Sequence, residues 1–195
     1  MTSAQELVDD REGENIFRVH RSAFTDPAIF DQEMAEIFGR TWLYLCHESQ
    51  IAKHGDYVAT QIGTQPVFVI RGSDDDIRCF YDVCSHRGSR LTGRTSGSAK
   101  TLTCRYHGWC FNAEGACTLV RGGDEAYRPE DLDRMDTNLR PIEKFGSYKG
   151  FLFGCLDADA PPLDEFLGGA MPFIDLMTDQ APDGMEILRG ESRYM

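Results

Sequence analysis

The sequence predicts a mainly β chain, an antiparallel β-sandwich with an N-terminal helix and a short C-terminal helical segment. Three observations carry this. Apolar runs of strand length recur between residues 42 and 156, and Gly-containing turns separate them. The helical signals lie outside that run, so the strands do not alternate with helices as βαβ units would.

Residues 1–15 are polar and charged and read as a mobile arm. A helix is expected over 27–38, because Asp26 can cap it, Pro27 suits its first position and Gly39 its end. Phe30, Met34, Ile37 and Phe38 recur on one face at helical spacing, so this helix should dock on something. Strands follow at 42–46 and, less regularly, at 57–62. Residues 67–71, a turn of Gly72, Ser73 and three aspartates, and 77–83 read as a hairpin that delivers its second strand into Cys84. Residues 92–100, rich in Gly, Ser and Thr, read as surface loop. A brief strand at 102–103 enters Cys104, residues 109–112 lead out of His107, and 112–115 make a turn. Residues 121–138 read as a polar surface loop with no chemistry of its own. Residues 140–145 and 148–156 close the sandwich as a hairpin. After a break at 157–162, a short helix starts at 163–167, interrupted by Gly168-Gly169 and Pro172, and 185–194 reads as a strand. The expected division is 1–41, arm and docking helix; 42–156, the β domain; and 157–195, a linker leading into something further.

A chain that is 41% hydrophobic and 27% charged has material for a core. Its net charge of −12 argues against nucleic acid, which wants basic patches. That charge leaves room for a basic electron-transfer partner, though a solvated acidic surface is its commoner explanation. The first ten residues are acidic and lack the apolar core of a signal peptide, and the apolar runs at 67–70 and 151–156 are too short to cross a bilayer. A cytoplasmic chain with no membrane partner is expected.

The chemistry lies in two loops, Cys84-Ser85-His86-Arg87-Gly88 and Cys104-Arg105-Tyr106-His107-Gly108-Trp109. Zinc sites usually group Cys with Cys and His with His. Here each loop offers one thiolate and one imidazole, as C-x-H and C-x₂-H. That mixture lets both Cys reach one iron and both His the other, and so favours a [2Fe–2S] cluster of Cys84, His86, Cys104 and His107. Zinc and four unrelated buried residues are the alternatives. Cys46, Cys79, Cys110, Cys117 and Cys155 then remain, an odd set best read as reduced thiols packed as small hydrophobes. Cys110, close to the second loop, could also support a ligand. His47, His54 and Asp56 have the residue types of a mononuclear iron site but no regular spacing, and with His20 read as packing or surface groups. Arg87, Arg90 and Arg105 support the loops, dock a carboxylate-bearing partner or are simply exposed, while Trp109 most simply walls the centre from water.

The two loops resemble the Rieske domain of ring-hydroxylating oxygenase large (alpha) subunits. His47-Glu48-Ser49-Gln50-Ile51, Gly150-Phe151-Leu152-Phe153-Gly154 and Leu188-Arg189-Gly190 look like the benzoate, toluate and anthranilate dioxygenase branch, and the likeness runs from about residue 17 to 195. It implies a Rieske-type sandwich with the cluster on a small subdomain, and 157–195 as the start of a catalytic domain otherwise absent. It further implies cis-dihydroxylation of a benzoate-like acid at a mononuclear non-haem Fe(II) in that domain. The implied partners are an NADH-dependent reductase, with or without a ferredoxin, a small beta subunit, and neighbouring alpha subunits in a ring. This chain would carry only the electron-transfer part. A free-standing Rieske ferredoxin is the alternative, but such a carrier needs little more than residues 55–156. High-potential Rieske proteins carry a further Cys in each loop, joined as a disulfide, and a Ser after the second His-Gly. Ser89, Tyr106 and Trp109 stand there, which implies a potential of about −150 mV rather than about +300 mV.

Overall fold

The computed structural model describes residues 4–132, 134–188 and 190. Its strands are Val8–Arg11 (β1), Ile16–Val19 (β2), Leu43–His47 (β3), Asp56–Ile62 (β4), Gln65–Arg71 (β5) and Ile77–Tyr81 (β6). Ser96–Ser98 (β7), Thr101–Thr103 (β8), Cys110–Asn112 (β9), Cys117–Leu119 (β10), Lys144–Tyr148 (β11) and Phe151–Cys155 (β12) follow. Every pairing between them is antiparallel.

The centre of the molecule is β5. Val67, Phe68, Val69 and Ile70 are all fully buried, so this strand has core on both faces. Because side chains alternate along a strand, its residues divide between two cores. Phe68 and Ile70 pack with Tyr57, Phe80, Leu102, Trp109 and Phe111, while Val67 and Val69 pack with Leu45, Cys46, Ile62, Ile142 and Leu152. The four-stranded sheet β6-β5-β4-β7 therefore has the sheet β11-β12-β3 on one face and the small sheet β10-β9-β8 on the other. The first pair of sheets is the expected sandwich, and the third sheet is the expected subdomain.

Two hairpins show how the sequence dictates local structure. Arg71↔Ile77 closes β5 and β6 around a turn in which Gly72 donates to the Asp76 carbonyl at 2.8 Å and Asp75 is left-handed. β11 and β12 turn through Lys149 and Gly150, both at positive φ, which is the backbone of a two-residue type I′ loop. A Cβ on Gly150 would stand 2.6 Å from His47 Nε2, so the close approach demands glycine as well.

The structure departs from the sequence reading in six places. Residues 8–19 form a hairpin rather than an irregular arm, with Asn15 left-handed at its bend; both its faces are wet, so no apolar alternation marked it. The helix at 27–38 forms as α over Pro27–Glu33 and continues as a π turn over Met34–Phe38, with the Asp26 carboxylate accepting from the Ala28 amide at 2.9 Å. Within this chain its apolar face is largely uncovered, for Phe30 and Ile37 are 54% and 53% exposed. Ser96–Ser98 is a strand, held by backbone pairing to β4 with no apolar side chain to betray it. Residues 121–138 contain the helical turns Gly123–Ala126 and Pro129–Leu132. The first strand of the closing hairpin begins at Lys144 rather than 140. Residues 185–188 form no strand, and the rest of the strand expected at 185–194 lies largely outside the described residues.

At the C-terminal side, Leu163–Leu167 and Met171–Thr178 are helices, with Pro172 in the first turn of the second, where its missing amide costs nothing. Trp42, Phe153, Cys155, Ala160 and Leu167 form a third core that holds them, and Trp42 Nε1 donates to the Pro161 carbonyl at 2.8 Å. Among the described residues no helix is long and apolar enough to cross a membrane.

Candidate metal centre

The two loops fold alike. Cys84 donates its amide to the Ser89 carbonyl at 2.8 Å and accepts from the Gly88 amide at 2.9 Å; Cys104 does the same with Trp109 and Gly108, at 2.8 and 2.9 Å. Each repeats a tight turn closed by a glycine at positive φ, +69° at Gly88 and +75° at Gly108. The histidines sit at different offsets on this common frame, two residues after Cys84 and three after Cys104.

The turns bring the four side chains together. The Cys84 and Cys104 thiols lie near enough to bias each other's ionisation. The His86 and His107 rings lie edge to face with centroids 4.6 Å apart. His86 Nδ1 is buried and has no hydrogen-bond partner, while its Nε2 lies 3.0 Å from Tyr127 Oη. Trp109, buried as expected, stacks on the His86 ring at 4.8 Å with planes 6° apart. His107 carries the Tyr106 ring at 3.8 Å, and Tyr106 is 63% exposed. Both rings are half-buried, but His86 has Trp109 on its face while His107 stands beside an exposed ring.

The electrostatics suit metal-binding groups. Burial, then His107 and Arg87, push the His86 pKa down, which favours the neutral ring that a ligand must be. Burial raises the Cys84 thiol. Burial also opposes ionisation of Cys104, but the amides of Tyr106 and His107, with Cys84 and the Ser89 hydroxyl, outweigh it and hold this thiol below its ordinary range. Among the described residues no three His, Cys, Asp or Glu side chains converge to hold a single ion. One tetrahedral zinc would need all four on one point, whereas a two-iron cluster takes two on each iron.

Several groups that matter here were not found from sequence. Asp82 is fully buried, and its carboxylate accepts from the Leu91 and Thr92 amides, each at 3.0 Å, from Arg90 Nε at 3.0 Å and from the Thr92 hydroxyl. It ties the end of β6 to residues 90–92 and so clasps the first loop at its base. Ser85 Oγ donates to the Thr137 carbonyl at 2.6 Å, and this with Tyr127 joins the segment read as bare loop to the centre. An acid set in the apolar run Phe80-Tyr81-Asp82-Val83 was a readable signal; Tyr127 had none.

Other expectations fall elsewhere. His47 caps the short helix Glu48–Ile51 and packs edge-on against Phe151, and His54 Nδ1 lies 2.8 Å from the Gly72 carbonyl, so neither faces the centre. His20 bonds Ser22 locally. Of the arginines, Arg90 supports the first loop through Asp82, and Arg87 and Arg105 are exposed. Cys110 is half-buried, its sulfur 3.5 Å from both Thr103 Oγ1 and the Gly108 carbonyl.

Comparison with known proteins agrees with this geometry. Residues 41–129 match the Rieske [2Fe-2S] domain family. The chain is 45% identical over 190 residues to toluate 1,2-dioxygenase subunit alpha of Pseudomonas putida, covering 97% of this chain and 42% of that protein. It is 42% identical over 180 residues to the 2-halobenzoate 1,2-dioxygenase large subunit of Burkholderia cepacia, covering 92% and 39%. The crystal structure of naphthalene 1,2-dioxygenase from Rhodococcus sp. bound to indole superposes with a TM-score of 0.81 at 33% identity, over 88% of this chain and 39% of that one. The chain thus spans about two fifths of the length of these relatives. With its paired Cys/His loops carried on the third sheet of an antiparallel β fold, the chain carries a Rieske [2Fe–2S] domain over residues 41–129 and is similar throughout to the toluate and halobenzoate dioxygenase large subunits.

Proposed function

We propose that Cys84, His86, Cys104 and His107 hold one [2Fe–2S] cluster and that the chain is the electron-transfer portion of an aromatic-ring-hydroxylating dioxygenase large subunit. The observation that carries the first part is His86 Nδ1, a buried ring nitrogen with no partner, on a ring 4.6 Å from that of His107. Leaving such a group unsatisfied costs about 1–3 kcal/mol, and a metal bond removes that cost. The residues fit the group: two thiolates for one iron, two neutral imidazoles for the other. A bound cluster supplies reversible one-electron transfer.

The chain's own residues do the rest. The amides of His86 and Arg87 favour an anionic Cys84 sulfur and those of Tyr106 and His107 an anionic Cys104 sulfur, Asp82 clasps the first loop, and Trp109 keeps water from the face of His86. His107, beside exposed Tyr106, is the ring placed to meet a partner.

The second part of the proposal draws on the relatives. Their likeness covers 97% of this chain, well beyond residues 41–129, which supports an oxygenase subunit over a free-standing ferredoxin. On this reading residues 1–41 are an arm and docking helix, 42–156 the Rieske domain, and 157–195 the lead into a catalytic domain. That domain holds the mononuclear non-haem iron, and the aromatic substrate is a benzoate-like acid. Electrons come from an NADH-dependent reductase in the cytoplasm, and a small beta subunit and neighbouring alpha subunits complete the assembly.

Reconstitution of residues 1–195 with iron and sulfide, followed by iron, acid-labile sulfide and EPR measurement, tests the cluster. Zinc uptake without sulfide would overturn it. Addition of reductase, NADH and a benzoate-type acid under oxygen should reduce the cluster without forming a cis-diol; stoichiometric diol from this chain alone would overturn the division of labour.

A further inference from the structure

Resting on the cluster assignment above, we propose that Tyr127 is a positioning residue of the iron–sulfur centre. Its hydroxyl fixes the orientation and tautomer of His86 and tunes the centre's potential.

The two nitrogens of His86 are in opposite situations. Nδ1 is buried without a partner, and Nε2 is 3.0 Å from Tyr127 Oη. When Nδ1 binds metal, the one proton of the neutral ring resides on Nε2, so the ring donates and the tyrosine oxygen accepts. A ring flip would turn a carbon toward Tyr127 and lose this bond. Trp109 restrains the same ring from its face at 4.8 Å, and Tyr127 meets Trp109 edge-on at 6.3 Å and 72°. The three rings form one packed unit, in which the hydroxyl is the polar contact that selects the tautomer.

Tyr127 can act at this distance in sequence because its own backbone is fixed. The helical turn Gly123–Ala126 ends with the Tyr127 amide donating to the Gly123 carbonyl at 3.0 Å, and the ring packs against the core of Phe68, Phe111 and Trp109. His107, by contrast, has no side-chain hydrogen bond to a described residue, so the two imidazoles are not equivalent. An acceptor on Nε2–H makes the ring a stronger donor through Nδ1, which favours the oxidised iron and lowers the potential.

The test compares the native chain, Tyr127→Phe and Tyr44→Phe, each reconstituted as residues 1–195, by iron and sulfide content, near-UV CD, EPR and voltammetry. Tyr44, on β3 and half-exposed, controls for loss of a tyrosine hydroxyl. Tyr127→Phe keeps the ring and its packing. It should bind a full cluster with a higher potential and a changed spread of g values, while Tyr44→Phe matches the native chain. Loss of the cluster from a folded Tyr127→Phe chain would also support the role. A potential and EPR spectrum unchanged in Tyr127→Phe would overturn it, as would a Tyr127→Phe chain that does not fold, which makes the hydroxyl merely structural. If the native chain itself takes up no cluster, the assignment of the centre fails and this inference with it. A native cluster indifferent to the hydroxyl defeats this inference alone.

Discussion

Trp109 lies flat on His86, with ring centroids 4.8 Å apart and planes 6° apart. A fully buried indole in this position both fills the core and seals an imidazole face. Trp109→Ala should therefore destabilise the chain by about 3–5 kcal/mol and shorten the cluster's lifetime in air. Chemical denaturation and the decay of visible absorption read the two effects. Trp109→Phe should recover most of the first and less of the second.

Replacing any of Cys84, His86, Cys104 or His107 by Ala should abolish or grossly alter the visible and EPR signals. Cys110→Ala is the informative control, since that thiol is close to the second loop yet bonded only to Thr103 and the Gly108 carbonyl. Its cluster should be native. A native cluster in Cys104→Ala would defeat the ligand assignment.

Asp82→Ala leaves the Leu91 and Thr92 amides without their acceptor in a buried place. At about 1–3 kcal/mol for each orphaned group, the loss should be clear in urea unfolding, with impaired cluster retention because the first loop is unclasped. Asp82→Asn keeps the shape but sets a second donor against donors, and should rescue little. Unchanged unfolding in Asp82→Ala would refute the clasp.

The potential should lie near the low end of the Rieske range, about −150 mV. Tyr106 is exposed and packed on His107, and the Ser89 hydroxyl instead helps to hold the Cys104 thiol below its ordinary range. That donor was not anticipated, and it stabilises the more negative, reduced centre. Ser89→Ala should thus lower the potential further; a clearly positive native value in voltammetry would contradict the first expectation, and no shift the second.

Gly88 and Gly108 permit a comparison of strain with crowding. Both have positive φ, so alanine at either costs about 1 kcal/mol. A Cβ at Gly88 meets open space, whereas one at Gly108 would stand 2.8 Å from Arg121 Cδ. Gly108→Ala should be the more destabilising in thermal melts, and adding Arg121→Ala should erase the difference.

The paired loops and the hairpin into Cys84 were legible because their signals are local: fixed Cys/His offsets, a Gly-Ser-Asp turn and flanking apolar runs. Strand β7 was not, since Ser96-Gly97-Ser98 is exposed and held through its backbone. The caps of the helix at residue 27 could be read, yet its apolar stripe proved exposed, because spacing reveals a face and not what covers it. Tyr127 escaped for a third reason. It meets His86 from 41 positions away, and no periodicity encodes such a contact.

The proximity of Cys84 and Cys104 also bears on folding. Joined through a common inorganic core, these residues would close a loop of roughly 20 residues, and a covalent tie of that size removes about 3 kcal/mol of chain entropy from the denatured ensemble. The centre would then staple the third sheet much as a disulfide does, in a chain whose seven cysteines are all free. Stripping the iron should therefore loosen β8, β9 and β10 first, visible as faster amide exchange there, while the sandwich behind β5 keeps its protection.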